Sequence, residues 1–152
     1  MRLSELFSEN SILLDVEPCS KQELLKRILD NLNAKQLLDD YERVMADVIE
    51  RENVMSTGIG NGVAIPHAYT DGVSRLVAGF VRTREGVDFA ALDGKSVDLF
   101  FIILGPKASR RNHIKVLAKI SRLLNHDDFR EGLRRAEDGR GVLEVFKRFG
   151  DR

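Results

Sequence analysis

What this chain has little of narrows its reading quickly. Cys19 is its single cysteine, so no intramolecular disulfide can form and the composition suits a reducing compartment. The expected role of Cys19 is that of a small, buried or half-buried side chain. Charge of one sign is missing too: 24 Lys and Arg against 24 Asp and Glu leave no net charge. No global basic field of the kind that holds nucleic acid is therefore present. The local pairs Arg110-Arg111 and Arg134-Arg135 read as solvated faces. Long apolar runs are absent; the longest, Leu99 to Leu104, is far too short to cross a bilayer. The opening "MRLSELFSENSILLDV" carries acids early and no long apolar core, unlike a secretory signal. A cytoplasmic location is expected, without membrane insertion. No linker, internal repeat or low-complexity stretch interrupts the 152 residues, which are enough to bury a real core. One domain over 1–152 follows.

Several chemical signatures are missing as well. Neither G-x-G-x-x-G nor G-x-x-x-x-G-K-[ST] occurs, so no standard nucleotide loop is expected. Without G-x-S-x-G a serine hydrolase of the nucleophile-elbow type is unsupported. Two histidines with no third convincing ligand and no close H-x-x-x-H spacing make poor metal evidence. No metal or other cofactor is expected.

What is present is helical at both ends and extended in the middle. Ser20 and Glu23 form a capping-box pattern ahead of "LLKRILDNL", with Leu24, Leu25, Ile28, Leu29 and Leu32 on one stripe. Asp39-Asp40 open a second amphipathic segment carrying Tyr41, Val44, Met45, Val48 and Ile49, which should end near residues 51–53. "GVAIPH" must finish extended, because Pro66 biases Ile65 away from the α region. "RLVAGFVRT" (75–83) and the continuous apolar "VDLFFIIL" (97–104) read as strands, the second buried on both faces. Gly94 and Gly105-Pro106 punctuate its ends. Asn112 is a candidate cap for a helix whose shared face is Ile114, Leu117, Ala118, Ser121 and Leu124. Asp127 or Asp128 would cap "FREGLRRA", with exposed His126 just before it, and "GVLEVFKRF" is helical. The fold class is α/β: a small mixed sheet flanked by helices on both sides.

The stretch "STGIGNGVAIPHA" (56–68) concentrates the chemistry. Taken alone, its glycines more often mark tight turns joining helix to strand. Gly58, Gly60 and Gly62, with Asn61 between them, also allow positive φ and converging N–H groups that can nest an anion. His67 closes the stretch on a backbone stiffened by Pro66, and imidazole is well populated in its neutral, nucleophilic form near neutral pH. Two partners are available. Arg51, on the far side of the glycines, has the planar fork that suits phosphoryl oxygens. His113 opens a helix after the buried strand, where a helix N-terminus favours its neutral, hydrogen-bond-donating form. Together they suggest a phosphoryl group carried on nitrogen and stabilised by charge and positioning.

At these residues the chain resembles the type-2 enzyme IIA domains of the bacterial phosphotransferase system, the fructose/mannitol and nitrogen-regulatory class. The matching blocks are "ERENVMSTGIGNGVAIPHA" (50–68), "EGVDFAALDGKSVDLFFIILGP" (85–106) and "HIKVLAKISRLLNHDDFREGL" (113–133), and the resemblance runs from about Leu3 to the C-terminus. It implies a mixed sheet flanked by helices and a cytoplasmic phosphotransferase component. His67 would accept the phosphoryl group from the phosphohistidine of a histidine-containing phosphocarrier protein, with Arg51 and His113 as the family's active-site arginine and second histidine. "STGIGNGVAIPH" looks most like the nitrogen-regulatory branch, whose output is control of other proteins. Ala68-Tyr69 departs from that branch, where Gly and a basic residue usually follow. Transfer to an enzyme IIB partner in sugar transport, a docking-only regulatory module and a non-covalent anion sensor are the alternatives.

Overall fold

The computed structural model describes residues 2–150. Strand β1 (Ile12–Val16) is followed by α1 (Lys21–Ala34) and α2 (Tyr41–Val54). Then come β2 (Gly58–Gly60), β3 (Val63–Ala64), β4 (His67–Tyr69), β5 (Val77–Val87) and β6 (Val97–Gly105), and finally α3 (Arg110–Leu123), α4 (Asp127–Arg135) and α5 (Gly139–Gly150). The six strands form one mixed sheet in the order β1-β5-β6-β3-β2, with β4 pairing β6 beyond β3. β5 and β6 are antiparallel, while β1 on β5 and both β3 and β4 on β6 are parallel.

Each face of the sheet carries its own core. On one face α1 and α2 bury Leu24, Leu25, Ile28, Leu29, Leu32, Val44 and Val48 against Phe89, Phe100, Ile102 and Leu104. On the other, α3, α4 and α5 bury Val116, Ile120, Phe129, Leu133 and Phe146 against Phe80, Leu99, Phe101 and Ile103. Alternate residues of β6 thus serve opposite cores, which is why its sequence is apolar throughout. Helices flank both sides, as the sequence pattern predicts. The Ser20 hydroxyl accepts from the Glu23 N–H at 3.2 Å, and the Asp40 carboxylate from the Arg43 N–H at 3.1 Å.

Three local expectations need correction. α3 begins at Arg110, so Asn112 lies inside its first turn and does not cap it. The chain leaves β6 at Pro106 through a 3-10 turn over Lys107–Ser109 that feeds straight into the helix. The buried face of α3 is His113, Val116, Ile120 and Leu124, with Ile114 exposed. Because the His113 ring is buried with the apolar side chains, the stripe is rotated by one residue from the expected face of Ile114, Leu117, Ala118 and Ser121. Asp127 and Asp128 are the first two residues of α4 rather than its cap; exposed His126 holds the cap position without a side-chain bond. β1 was not foreseen, since five residues ending in a register shift, with Asp15 at φ +55°, show no clean alternation.

Candidate functional site

β3 and β4 keep one register on β6: Ala64 lies opposite Phe100 and His67 opposite Ile103. Between them Pro66 has no N–H to give, yet its carbonyl still accepts from the Ile103 N–H at 3.0 Å. The proline interrupts the ladder without breaking its course. Val63 and Ile65 point into the α3 core, Ala64 and Ala68 into the opposite one. Alternation therefore turns His67 and Tyr69 toward α3. β6 ends immediately beyond them at Gly105, where a Cβ would come within 3.2 Å of His113 Nδ1. Any larger residue there would require the ring or the Leu76 side chain to give way by a few tenths of an ångström.

His67 is half-buried. Its Nδ1 lies 2.7 Å from the Ile65 carbonyl oxygen. A carbonyl can only accept, so Nδ1 carries the proton and the neutral ring's lone pair falls on Nε2. Burial depresses the His67 pKa; the bond to Ile65 and the charge of Glu52 oppose this, and Arg51 adds to it. His113 is fully buried, and neither of its ring nitrogens has a hydrogen-bond partner. Its ring centroid is 5.9 Å from that of His67 and 4.5 Å from that of Tyr69. Desolvation first, and His67 second, push its pKa down to about 4. At neutral pH both imidazoles are uncharged, and each keeps one N–H and one lone pair.

Arg51 sits in the last turn of α2, where its Nη1 donates to the Met55 carbonyl at 3.0 Å. The next residue is turned inward. Buried Glu52 accepts from both the N–H and the hydroxyl of Thr57 at 2.8–2.9 Å and pairs with Lys21 Nζ at 3.2 Å. This network ties the start of the glycine segment to the end of α2 and fixes the turn from which Arg51 projects. Arg51, His67, Tyr69, Lys107 and Arg110 line one cleft of about 390 Å³, together with Asp47 and Glu50 on α2. Its floor is a strand end, one wall is a helix C-terminus and the other is the start of α3.

The structure sets Arg51 and His67 on one cleft, packs His113 against His67 without its lining that cleft, and leaves the glycine loop elsewhere. Gly58–Gly60 and Val63–Ala64 pair antiparallel, joined by a turn with Asn61 at φ +58° and Gly62 at φ +78°. Two positive φ values in succession are those of a type I′ hairpin turn. The Asn61 N–H is taken by the Asp93 carboxylate at 3.2 Å. Its carbonyl accepts from Arg134, which also holds Asp98 through two bonds of 2.9 Å. Gly62 is five residues, roughly 16 Å of extended chain, from His67. Gly58 packs where a Cβ would meet Ala91 at 2.8 Å. None of Gly58, Gly60, Asn61 and Gly62 lines the His67 cleft, so the amide cradle expected of them is not formed there.

Sequence reasoning missed Glu52, Tyr69, Lys107 and Arg110. For Glu52 the signal was its place beside Arg51. For the other three it was proximity to the two histidines, with Arg110-Arg111 set aside as a solvated pair. Among the described residues no group of three or more His, Cys, Asp or Glu side chains could hold a metal ion. No helix there is long and apolar enough to cross a membrane.

Comparison with known proteins agrees with this fold. A family model described as the phosphoenolpyruvate-dependent sugar phosphotransferase system, EIIA 2, matches residues 5–149. A fructose-specific EIIA component of this system from Haloferax volcanii is 39% identical over 88% of this chain and 87% of its own length. A nitrogen regulatory protein from Pseudomonas aeruginosa is 34% identical over 95% of this chain and 94% of its own. The crystal structure of nitrogen regulatory protein IIA-Ntr from Neisseria meningitidis superposes with a TM-score of 0.84 at 33% identity, covering 95% of this chain and 98% of that one.

Proposed function

The chain belongs to the phosphoenolpyruvate-dependent sugar phosphotransferase system EIIA type-2 family, and from that premise we propose that it is a phosphocarrier whose nucleophile is His67 Nε2. The observation that carries this reading is the bond of 2.7 Å from Nδ1 to the Ile65 carbonyl, which leaves Nε2 as the neutral ring's lone-pair nitrogen in a side chain lining the cleft. Nε2 attacks the phosphorus of a phosphohistidine on a histidine-containing carrier protein. The new N–P bond forms as the donor's N–P bond breaks, and the donor imidazole leaves with its electron pair. The proton stays on Nδ1, which donates to the Ile65 carbonyl, and that bond stabilises the positive charge that phosphorylation places on the ring. Arg51 supplies a fixed cation for the phosphoryl oxygens. Neutral His113, with two unpartnered nitrogens, supplies a donor that costs nothing to unbind from elsewhere.

The output assigned first is regulation of the nitrogen type, in which a target protein reads the phosphorylation state. A second reading, transfer onward to an enzyme IIB in sugar uptake, is favoured by the 39% identity to a fructose-specific component. Intact mass spectrometry after incubation with phosphoenolpyruvate, enzyme I and the carrier protein tests the common core. An acid-labile gain of one phosphoryl group, lost in His67→Ala, is expected. No gain from an active donor removes the reading and leaves docking without transfer.

A further inference from the structure

Arg51 approaches the cleft from α2, and the opposite wall carries a cation of its own. Arg110 and His113 are three residues apart on α3, so their side chains rise from the same face of the helix. The ring of Tyr69 contacts both. It lies 4.5 Å from the His113 ring, and the Arg110 guanidinium carbon sits 4.8 Å from its centroid. Tyr69 is itself held on the ladder opposite Gly105. A backbone-anchored ring thus gives an otherwise exposed arginine a preferred direction. Among the described residues, no ring stacks on Lys107 on the same wall. The two acids of the cleft, Asp47 and Glu50, are on the α2 side, and Asp47 is already paired with Arg43 at 3.4 Å.

We infer that Arg110, aimed by Tyr69, is the second cationic contact for the transferring phosphoryl group, closing from α3 the clamp that Arg51 begins from α2. The inference rests on the phosphocarrier reading and adds to it a catalytic residue, Arg110, and a positioning residue, Tyr69. Both act on the group in flight between two nitrogens. They therefore influence the maximal rate of transfer rather than the affinity for the donor protein.

The test is single-turnover phosphorylation by the phosphorylated carrier protein, over a range of donor concentrations, in wild type, Arg110→Gln, Tyr69→Leu, Tyr69→Phe and the double variant Arg110→Gln/Tyr69→Leu. Arg110→Gln is exposed and leaves the core untouched, so folding does not cloud it. Expected are a saturating rate at least about tenfold lower in Arg110→Gln, a smaller fall in Tyr69→Leu, near-complete rescue in Tyr69→Phe, and a double variant no slower than Arg110→Gln. A saturating rate that is unchanged in Arg110→Gln overturns the inference, even if half-saturation moves, because Arg110 would then only dock the donor. Losses that multiply in the double variant overturn the positioning role of Tyr69. If wild type accepts no phosphoryl group from an active donor, the phosphocarrier reading falls and takes this inference with it. Transfer to wild type that is lost in His67→Ala but unaffected by Arg110→Gln retains the first and removes only the second.

Discussion

Replacing His113 with leucine should make this protein more stable and less able to accept a phosphoryl group. His113 is fully buried with both ring nitrogens unpartnered, and a buried polar group without a partner costs about 1–3 kcal/mol. Leucine is of similar size and has nothing to leave unsatisfied. The substitution forfeits the ring contact with Tyr69, worth about 0.5–1.5 kcal/mol, so the net gain at neutral pH is about 1 kcal/mol. The gain should grow in acid. His113 binds its proton near pH 6.5 in the unfolded chain and near 4 in the folded one. Between those values the unfolded state holds more protons, so its contribution to stability falls as pH is lowered through that window and levels off below 4. At pH 5, about 1.5 units under the unfolded pKa, the wild type has lost about 2 kcal/mol that the leucine variant keeps. Urea denaturation of both proteins at pH 7.5 and pH 5 measures the difference directly. Acceptance by the variant should meanwhile slow about 10²-fold if His113 donates to the phosphoryl group. A leucine variant that is less stable at both pH values, with the same pH dependence as wild type, would refute the view of His113 as a buried group kept for function.

Arg51→Ala should slow acceptance by about 10²-fold while changing the urea midpoint little, checked by the same single-turnover assay. Glu52→Gln keeps an oxygen for Thr57 but loses the charge that pairs with Lys21. It should cost about 1–3 kcal/mol in urea denaturation and slow acceptance less than Arg51→Ala does; a wild-type midpoint would mean that the network stabilises nothing. Gly62→Ala forces a side chain into φ +78° and within 2.5 Å of Arg134, a strain of about 1–2 kcal/mol from the backbone alone. The variant should melt sooner yet accept at the wild-type rate while folded, and a tenfold slowing would restore the glycine loop to the phosphoryl site. Arg82→Met removes the buried guanidinium that donates to the carbonyls of Leu133, Arg134 and Ala136 at the end of α4. A loss of about 3 kcal/mol is expected, with acceptance unaltered.

How much of this was legible in the sequence follows from what each pattern encodes. The helices α1 and α2 and the strand β6 were readable because burial repeats at the period of the element, and Ser20 and Asp40 announce their caps by type. The joining of Arg51, His67 and His113 was reached through the resemblance and through residue chemistry, not spacing, since they are brought together by the parallel register of β4 on β6 and by the start of α3. The glycine segment shows the opposite case. Alternating glycines permit both an anion nest and an Asn-Gly hairpin turn, and the sequence around them does not say which. Two distant residues decide it: the Asp93 carboxylate takes the Asn61 amide, and Arg134 takes the Asn61 carbonyl. A carboxylate already sitting on the amide repels the anion that a nest would hold, so the cations must come from side chains. The cleft supplies them as Arg51, Lys107 and Arg110. Arg110 was hidden because a paired arginine on a helix start reads as solvated, and nothing in the chain between them connects it to Tyr69, 41 positions earlier. The contact between them exists only once β4 has docked beside β6 and α3 has packed over its end. An aromatic residue two positions after a strand-end histidine is therefore worth pairing, in the sequence, with the cations that open the next helix.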